Sequence, residues 1–147
     1  MSIQQKGSFG FDKMLAKAKV EKQRLPVKIG IEAKKWYLLG FRQDGGQTDE
    51  GKWEARKKPD KNPKKRGILV QRNTLRDSIS VLKASWYGIV IGSRGVIYAA
   101  IHNFGLRGRA FGKYSFTMPK REFIGKSTGL NRKIFIMINK QFKSIFK

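Results

Sequence analysis

The chain has no cysteine among its 147 residues, which removes disulfides, thiol catalysis and thiolate metal sites together. Histidine is nearly absent as well. His102 stands alone, and no serine or acid lies at a spacing that would identify a catalytic triad with it. A lone histidine in a short helical segment reads as a structural residue, so we expect no enzyme, no metal and no cofactor. Acids are scarce: 10 Asp and Glu face 33 Lys and Arg, for a formal net charge of +23, and after Asp77 the only acid is Glu122. Such a field attracts polyanions and repels copies of itself, so an oligomer would need an acidic partner surface or nucleic acid nearby. Long apolar runs are missing too. Ile134 to Ile138 is five residues, far below the roughly 18 of a spanning helix, so no membrane partner is expected. The first residues, Met1 to Lys6, form no apolar signal core, which implies a protein that stays in the cytoplasm where it is made.

What is present suffices for one domain, residues 1–147, with a real core: 39% of the residues are apolar and 12% aromatic. Phe11, Met14 or Leu15 and Ala18 follow helical spacing. Pro26 sits where a second helix would begin, with Val27, Ile31, Leu38 and Phe41 after it. The expectation is an N-terminal helical pair ending near Gly40 to Gln43. Residues 44–67 are rich in Gly, Lys and Asp and read as a long mobile basic loop, with Trp53 as the buried anchor that pins it. Trp86 to Ile91 is a strand signal. Ile79, Val81 and the region of Ala84 supply an antiparallel partner, joined by a tight connection near Lys83 to Ser85.

Tyr98, Ile101 and Phe104 fall at i, i+3 and i+6, one apolar stripe on a short helix that Gly105 can end at positive φ. Gly105 to Gly112 is glycine-rich and basic but lacks the Gly-Lys-Ser/Thr ending of a P-loop, and reads as a flexible docking loop able to touch phosphate. Met118-Pro119 is extended, because the residue before proline is pushed out of the α region. It should deliver Phe123 and Ile124 to a buried site beside Tyr98 and Ile101. Ile134, Met137, Ile138, Gln141, Phe142 and Ile145 form the stripe of an amphipathic C-terminal helix expected to pack across the sheet. The class is α+β: a small antiparallel sheet packed with N-terminal helices and a C-terminal amphipathic helix, with the long basic loop inserted.

Several of these segments form an ordered series. Leu69-Val70, then Leu75-Arg76-Asp77-Ser78-Ile79, Val90-Ile91-Gly92-Ser93, Tyr98 to Gly105 and Met118 to Gly125 follow one another in a pattern that resembles the phage virion-morphogenesis family, the tail-completion proteins of Mu-like and P2-like contractile-tailed phages. Leu75, Ser78, Ile79, Gly92, Tyr98, Ala99, His102, Gly105, Pro119, Phe123 and Gly125 carry the resemblance as structural residues, and Arg121 meets a further expectation of the pattern. The pattern has Thr-Gly where this chain has Arg72-Asn73. Asn, like Gly, tolerates the left-handed backbone of a tight turn. By that resemblance His102 makes a packing hydrogen bond.

The resemblance implies a non-enzymatic virion protein, a tail completion or terminator subunit that caps the head-proximal end of a tail and supports head–tail joining. It also implies a homo-oligomeric ring, hexameric by resemblance, in contact with tail tube or sheath and neck or connector proteins. Its location would be the tail or neck of a virion assembled in the host cytoplasm. The alternative from a different class is a basic nucleic-acid-binding protein without sequence preference. There Lys57, Lys58, Lys64, Lys65 and Arg66, together with Arg107, Arg109 and Lys113, would track the phosphate backbone or grip a partner.

Overall fold

The computed structural model describes residues 10–56, 67–70 and 72–146. Helix α1 spans Phe11–Gln43, 33 residues, and Pro26 lies inside it. The helical pair expected from Pro26 is therefore one helix. A proline ring forfeits one intrahelical hydrogen bond and crowds the preceding turn, but Pro26 and its neighbour Leu25 are buried. From Leu25 to Phe41 the helix is packed against the rest of the molecule, so tertiary packing overrides the local break. Leu25, Gly30, Ala33, Tyr37, Gly40 and Phe41 make up its buried face. Residues 11–24 have no buried side chain. The helix ends as its sequence suggests: Asp44 adopts a left-handed conformation at φ 54° and its N–H returns to the Gly40 carbonyl.

Helix α2, Thr74–Ser78, follows Asn73, whose φ of 59° is left-handed, the conformation that the Gly-to-Asn replacement had to preserve. Strands β1 (Ile79–Ser85) and β2 (Gly88–Ser93) pair antiparallel, with Ile79 opposite Ser93 and a bulge between Val81 and Lys83. The connection is Trp86-Tyr87, not Lys83 to Ser85. The extra bulged residue carries the ladder on to Ser85 and Gly88, which form its last pair. Helix α1 crosses this hairpin at Gly30, where an added Cβ would lie 3.0 Å from Val81 Cγ1. The missing side chain lets backbone and sheet approach closely.

Helix α3 (Ala99–Phe104) ends at Gly105, φ 66°, as expected. Its orientation is not. Tyr98 and Phe104 face outward, while Ala99 and Asn103 are buried. The smaller side chains take the inner face because the segment 118–125 passes close beneath it. Residues 105–112 are not a flexible loop: Arg107–Ala110 is strand β3, paired antiparallel with β4 (Tyr114–Thr117). Alternation through Gly108 and a turn with Phe111 and Gly112 at positive φ make the ribbon. The two hairpins remain separate two-stranded sheets.

Helix α4, Thr128–Ile145, turns most of the stripe read from sequence inward, leaving Phe142 exposed, but packs on α1 rather than across the sheet as expected. It lies along α1, where Ala33, Tyr37 and Leu130 form one cluster that Trp36, Ile91 and Ile134 adjoin. The main cluster is Phe41, Trp53, Leu75, Ile79, Ala99 and Phe123. Phe123 thus sits beside Phe41, ring centroids 5.6 Å apart, and among Leu75 and Ala99 rather than against the outward-facing Tyr98 stripe. Ile124 is half-buried between the two clusters.

Candidate functional site

The two longest signatures meet at Asn103. Its Oδ1 accepts the backbone N–H groups of Phe123 and Ile124, each at 3.0 Å, and its Nδ2 donates to the Ile124 carbonyl at 3.0 Å. One buried amide thereby does the work of a strand partner for a segment that has none. The Arg121 N–H adds a bond to the His102 carbonyl at 2.9 Å. Gly105 makes the approach possible, since a Cβ there would stand 3.0 Å from the Lys120 backbone.

The first half of the loop after α1 is clamped onto this junction. Trp53 is buried edge-on against Phe41, centroids 5.4 Å apart, and its Nε1 donates to the Glu122 carbonyl at 3.0 Å. Trp53 is the anchor the sequence suggested, and residues 44–56 form a turn closed by the Gly45–Lys52 bridge, while 57–66 of the expected basic loop lie outside the described residues. Arg121, itself buried, donates from Nε to the Glu54 carbonyl at 3.1 Å. Burial pushes its guanidinium pKa down, the Glu54 charge opposes that shift, and Arg56 adds to it. Asp49 accepts from the Thr128 N–H at 2.8 Å and the Thr128 hydroxyl at 3.1 Å, beside the Ser127 cap of α4. Those bonds, the backbone one first, hold the Asp49 carboxyl below its usual range.

The remaining signature residues serve the same joinery. Ser78 donates to the Leu75 carbonyl at 2.6 Å and shares a 2.7 Å hydrogen bond with Ser93, tying α2 to the end of β2. Ile79 is fully buried and Leu75 nearly so. Gly92 lies under Leu82, whose Cδ1 would be 2.8 Å from an added Cβ, and a Cβ on Gly125 would overlap the Glu122 carboxylate. The Gly125 carbonyl accepts from the Tyr37 hydroxyl at 2.7 Å. Burial, then the Glu122 charge, raises the Tyr37 pKa. Pro119 lies in the irregular stretch after β4.

His102 departs from expectation. Its buried Nδ1 has no hydrogen-bond partner among the described residues, and its ring meets Tyr98 edge-on at 5.7 Å. The packing hydrogen bonds belong to its neighbour Asn103. Burial, then the Arg121 charge, lowers the His102 pKa, which disfavours the charged imidazolium. Asn103 was missed although a signal was present. It falls four residues after Ala99, so the two share a face that the bulky stripe does not occupy.

Arg107, Arg109 and Lys113 are exposed on the β3–β4 ribbon and form no ion pair among the described residues. Lys57, Lys58, Lys64, Lys65 and Arg66 lie outside the described residues. Among those described, no three His, Asp or Glu side chains could hold one metal ion, and no helix is long and apolar enough to cross a membrane.

The polar groups of this junction are spent on joining segments of an α+β fold, a structural use of side chains. The chain belongs to the phage virion morphogenesis family, whose model matches residues 8–143. That membership points to a structural or assembly role in a phage. No curated protein and no solved structure matches the chain.

Proposed function

We propose that the protein is a tail-completion subunit that caps the head-proximal end of a phage tail as part of a ring and supports joining to the capsid. The observation that carries the reading is the placement of its uncovered apolar side chains. Tyr87, at the tip of the β1–β2 hairpin, is 98% exposed, Ile97, ahead of α3, 95%, and Phe111, at the tip of the β3–β4 ribbon, 94%. Large apolar groups at several separate places suit a subunit that touches more than one neighbour, as in a closed ring of heterologous contacts. Family membership supplies the setting, and a hexamer is the number its resemblance suggests. Particles made without this protein should carry tails that are defective at the head-proximal end or fail to join capsids, while DNA replication and gene expression proceed normally. Intact, infectious tails formed in its absence would overturn the reading.

A further inference from the structure

The register of the β3–β4 ribbon sorts its side chains without exception. Arg107 pairs with Thr117 and Arg109 with Ser115, while Gly108 pairs with Phe116. Residues directly opposite one another share a face, so Arg107, Arg109, Ser115 and Thr117 make one face. Phe116 with Gly108, Tyr114 and, one ladder step further, Leu106 and Met118 make the other, since the Met118 N–H donates to the Leu106 carbonyl. The first face consists entirely of groups that can donate hydrogen bonds. Its four side chains are exposed, and none makes a hydrogen bond or ion pair among the described residues. Lys113 adds an exposed positive charge at the adjoining turn. From residue 93 to the end of the chain the only acid is Glu122, which is engaged with Lys120 at 3.3 Å.

We propose that this polar face is a docking surface for the phosphate backbone of duplex DNA, bound without sequence preference. The inference goes beyond the tail-completion reading and does not depend on it. Phosphodiester oxygens are pure acceptors, and guanidinium and hydroxyl groups are what commonly contact them. Arg107 and Arg109, two residues apart on one strand, stand about 7 Å apart, close enough to meet neighbouring phosphates of one strand. A two-stranded ribbon is also narrow enough to lie along a groove. A protein partner would take the opposite, apolar face, leaving the donors for a polyanion.

The test uses the purified full-length protein and a random-sequence duplex of about 20 base pairs, with affinity followed by fluorescence anisotropy from about 50 to 200 mM salt. In Arg107→Gln with Arg109→Gln, the slope of log K against log salt should become shallower by about 2, so the affinity lost across that range shrinks by about tenfold. Arg107→Lys with Arg109→Lys should keep the slope. Lys140→Gln with Lys143→Gln removes the same charge from α4 and should change the slope by much less. Should the glutamine pair fail to fold by circular dichroism, Lys113→Gln is expected to remove about 1 from the slope. Equal flattening by the ribbon and α4 variants would mean a diffuse field and no site. An unchanged slope in the ribbon variants would overturn the proposal, and if tail assembly were lost at the same time the face would be assigned to an acidic protein. Loss of DNA binding with normal tails would leave the ribbon site standing and count against no part of the assembly reading.

Discussion

Asn103 ties α3 to segment 121–125 through three side-chain hydrogen bonds. Truncating it leaves the buried Phe123 N–H and the part-buried Ile124 N–H and carbonyl without these partners, each a cost of up to about 1–3 kcal/mol before relaxation. Asn103→Ala should therefore destabilise the isolated subunit by about 3 kcal/mol in urea unfolding with an unchanged m-value. A loss below about 1 kcal/mol would mean that segment 121–125 is held by packing alone. Phe123, 3% exposed in the main cluster, should cost about 3–5 kcal/mol as Phe123→Ala. If stability barely falls while assembly disappears, Phe123 is an interface residue. His102 gives a pH signature. Its folded pKa lies below the ordinary value, so the unfolded chain binds the proton more readily. The stability it contributes is complete above the unfolded pKa of about 6.5 and is lost as pH falls through the window beneath. His102→Leu should flatten the stability profile between about pH 7 and 5; a profile as steep as the wild type's would reassign the effect to other groups.

At the scale of elements, α1 is the common support, with the β1–β2 hairpin and α4 both resting on it. Its contact with the hairpin depends on Gly30, so Gly30→Leu should push the two apart at a cost of about 2 kcal/mol. Amide hydrogen exchange across Val81 and Ile91 would show it, and unchanged protection there would refute the close crossing. Residues 11–24 bury no side chain, and Phe11 and Leu15 are exposed, so they should be the first part of α1 to fray in solution. The β3–β4 ribbon is the opposite case, an element with little beneath it. Phe111 holds a left-handed backbone at φ 53°, a conformation costly for a bulky residue. Phe111→Gly should stabilise the isolated subunit by about 0.5–1 kcal/mol.

For the whole molecule, stability and assembly draw on different residues. The core and the Asn103, Trp53 and Arg121 joints are interior, whereas Tyr87, Ile97 and Phe111 contribute almost nothing to the folded monomer. Replacing Tyr87 and Ile97 with Ser should leave the thermal midpoint within about 2 °C of wild type, since surface changes are usually within ±0.5 kcal/mol. The same variant should form smaller assemblies by native mass measurement. Wild-type assembly in this variant would remove the observation on which the ring reading rests. The positive charge works against self-association, so the assembled fraction is also expected to rise with salt.

Periodicity and composition were enough to place α4, the paired β1 and β2, the end of α1 near Gln43, the turn at Gly105 and the anchoring role of Trp53. Each depends on neighbours a few residues away or on one dominant apolar side chain, and those are the interactions a sequence displays directly. The ordered signatures led to the family for the same reason: they are local motifs in fixed order. Where the answer required a residue's distant partner, only the tertiary structure decided it. Pro26 stays within one helix because the packing around it outweighs a lost backbone bond. The bulky stripe of α3 faces outward because segment 118–125 occupies the space beneath Ala99 and Asn103. The basic stretch after Gly105 is a ribbon because Tyr114–Thr117 returns to pair with it, which sorts four donor side chains onto one uncovered face. Long-range packing and pairing energies exceed the local preferences of these short segments, and such energies are read from contacts rather than from spacing.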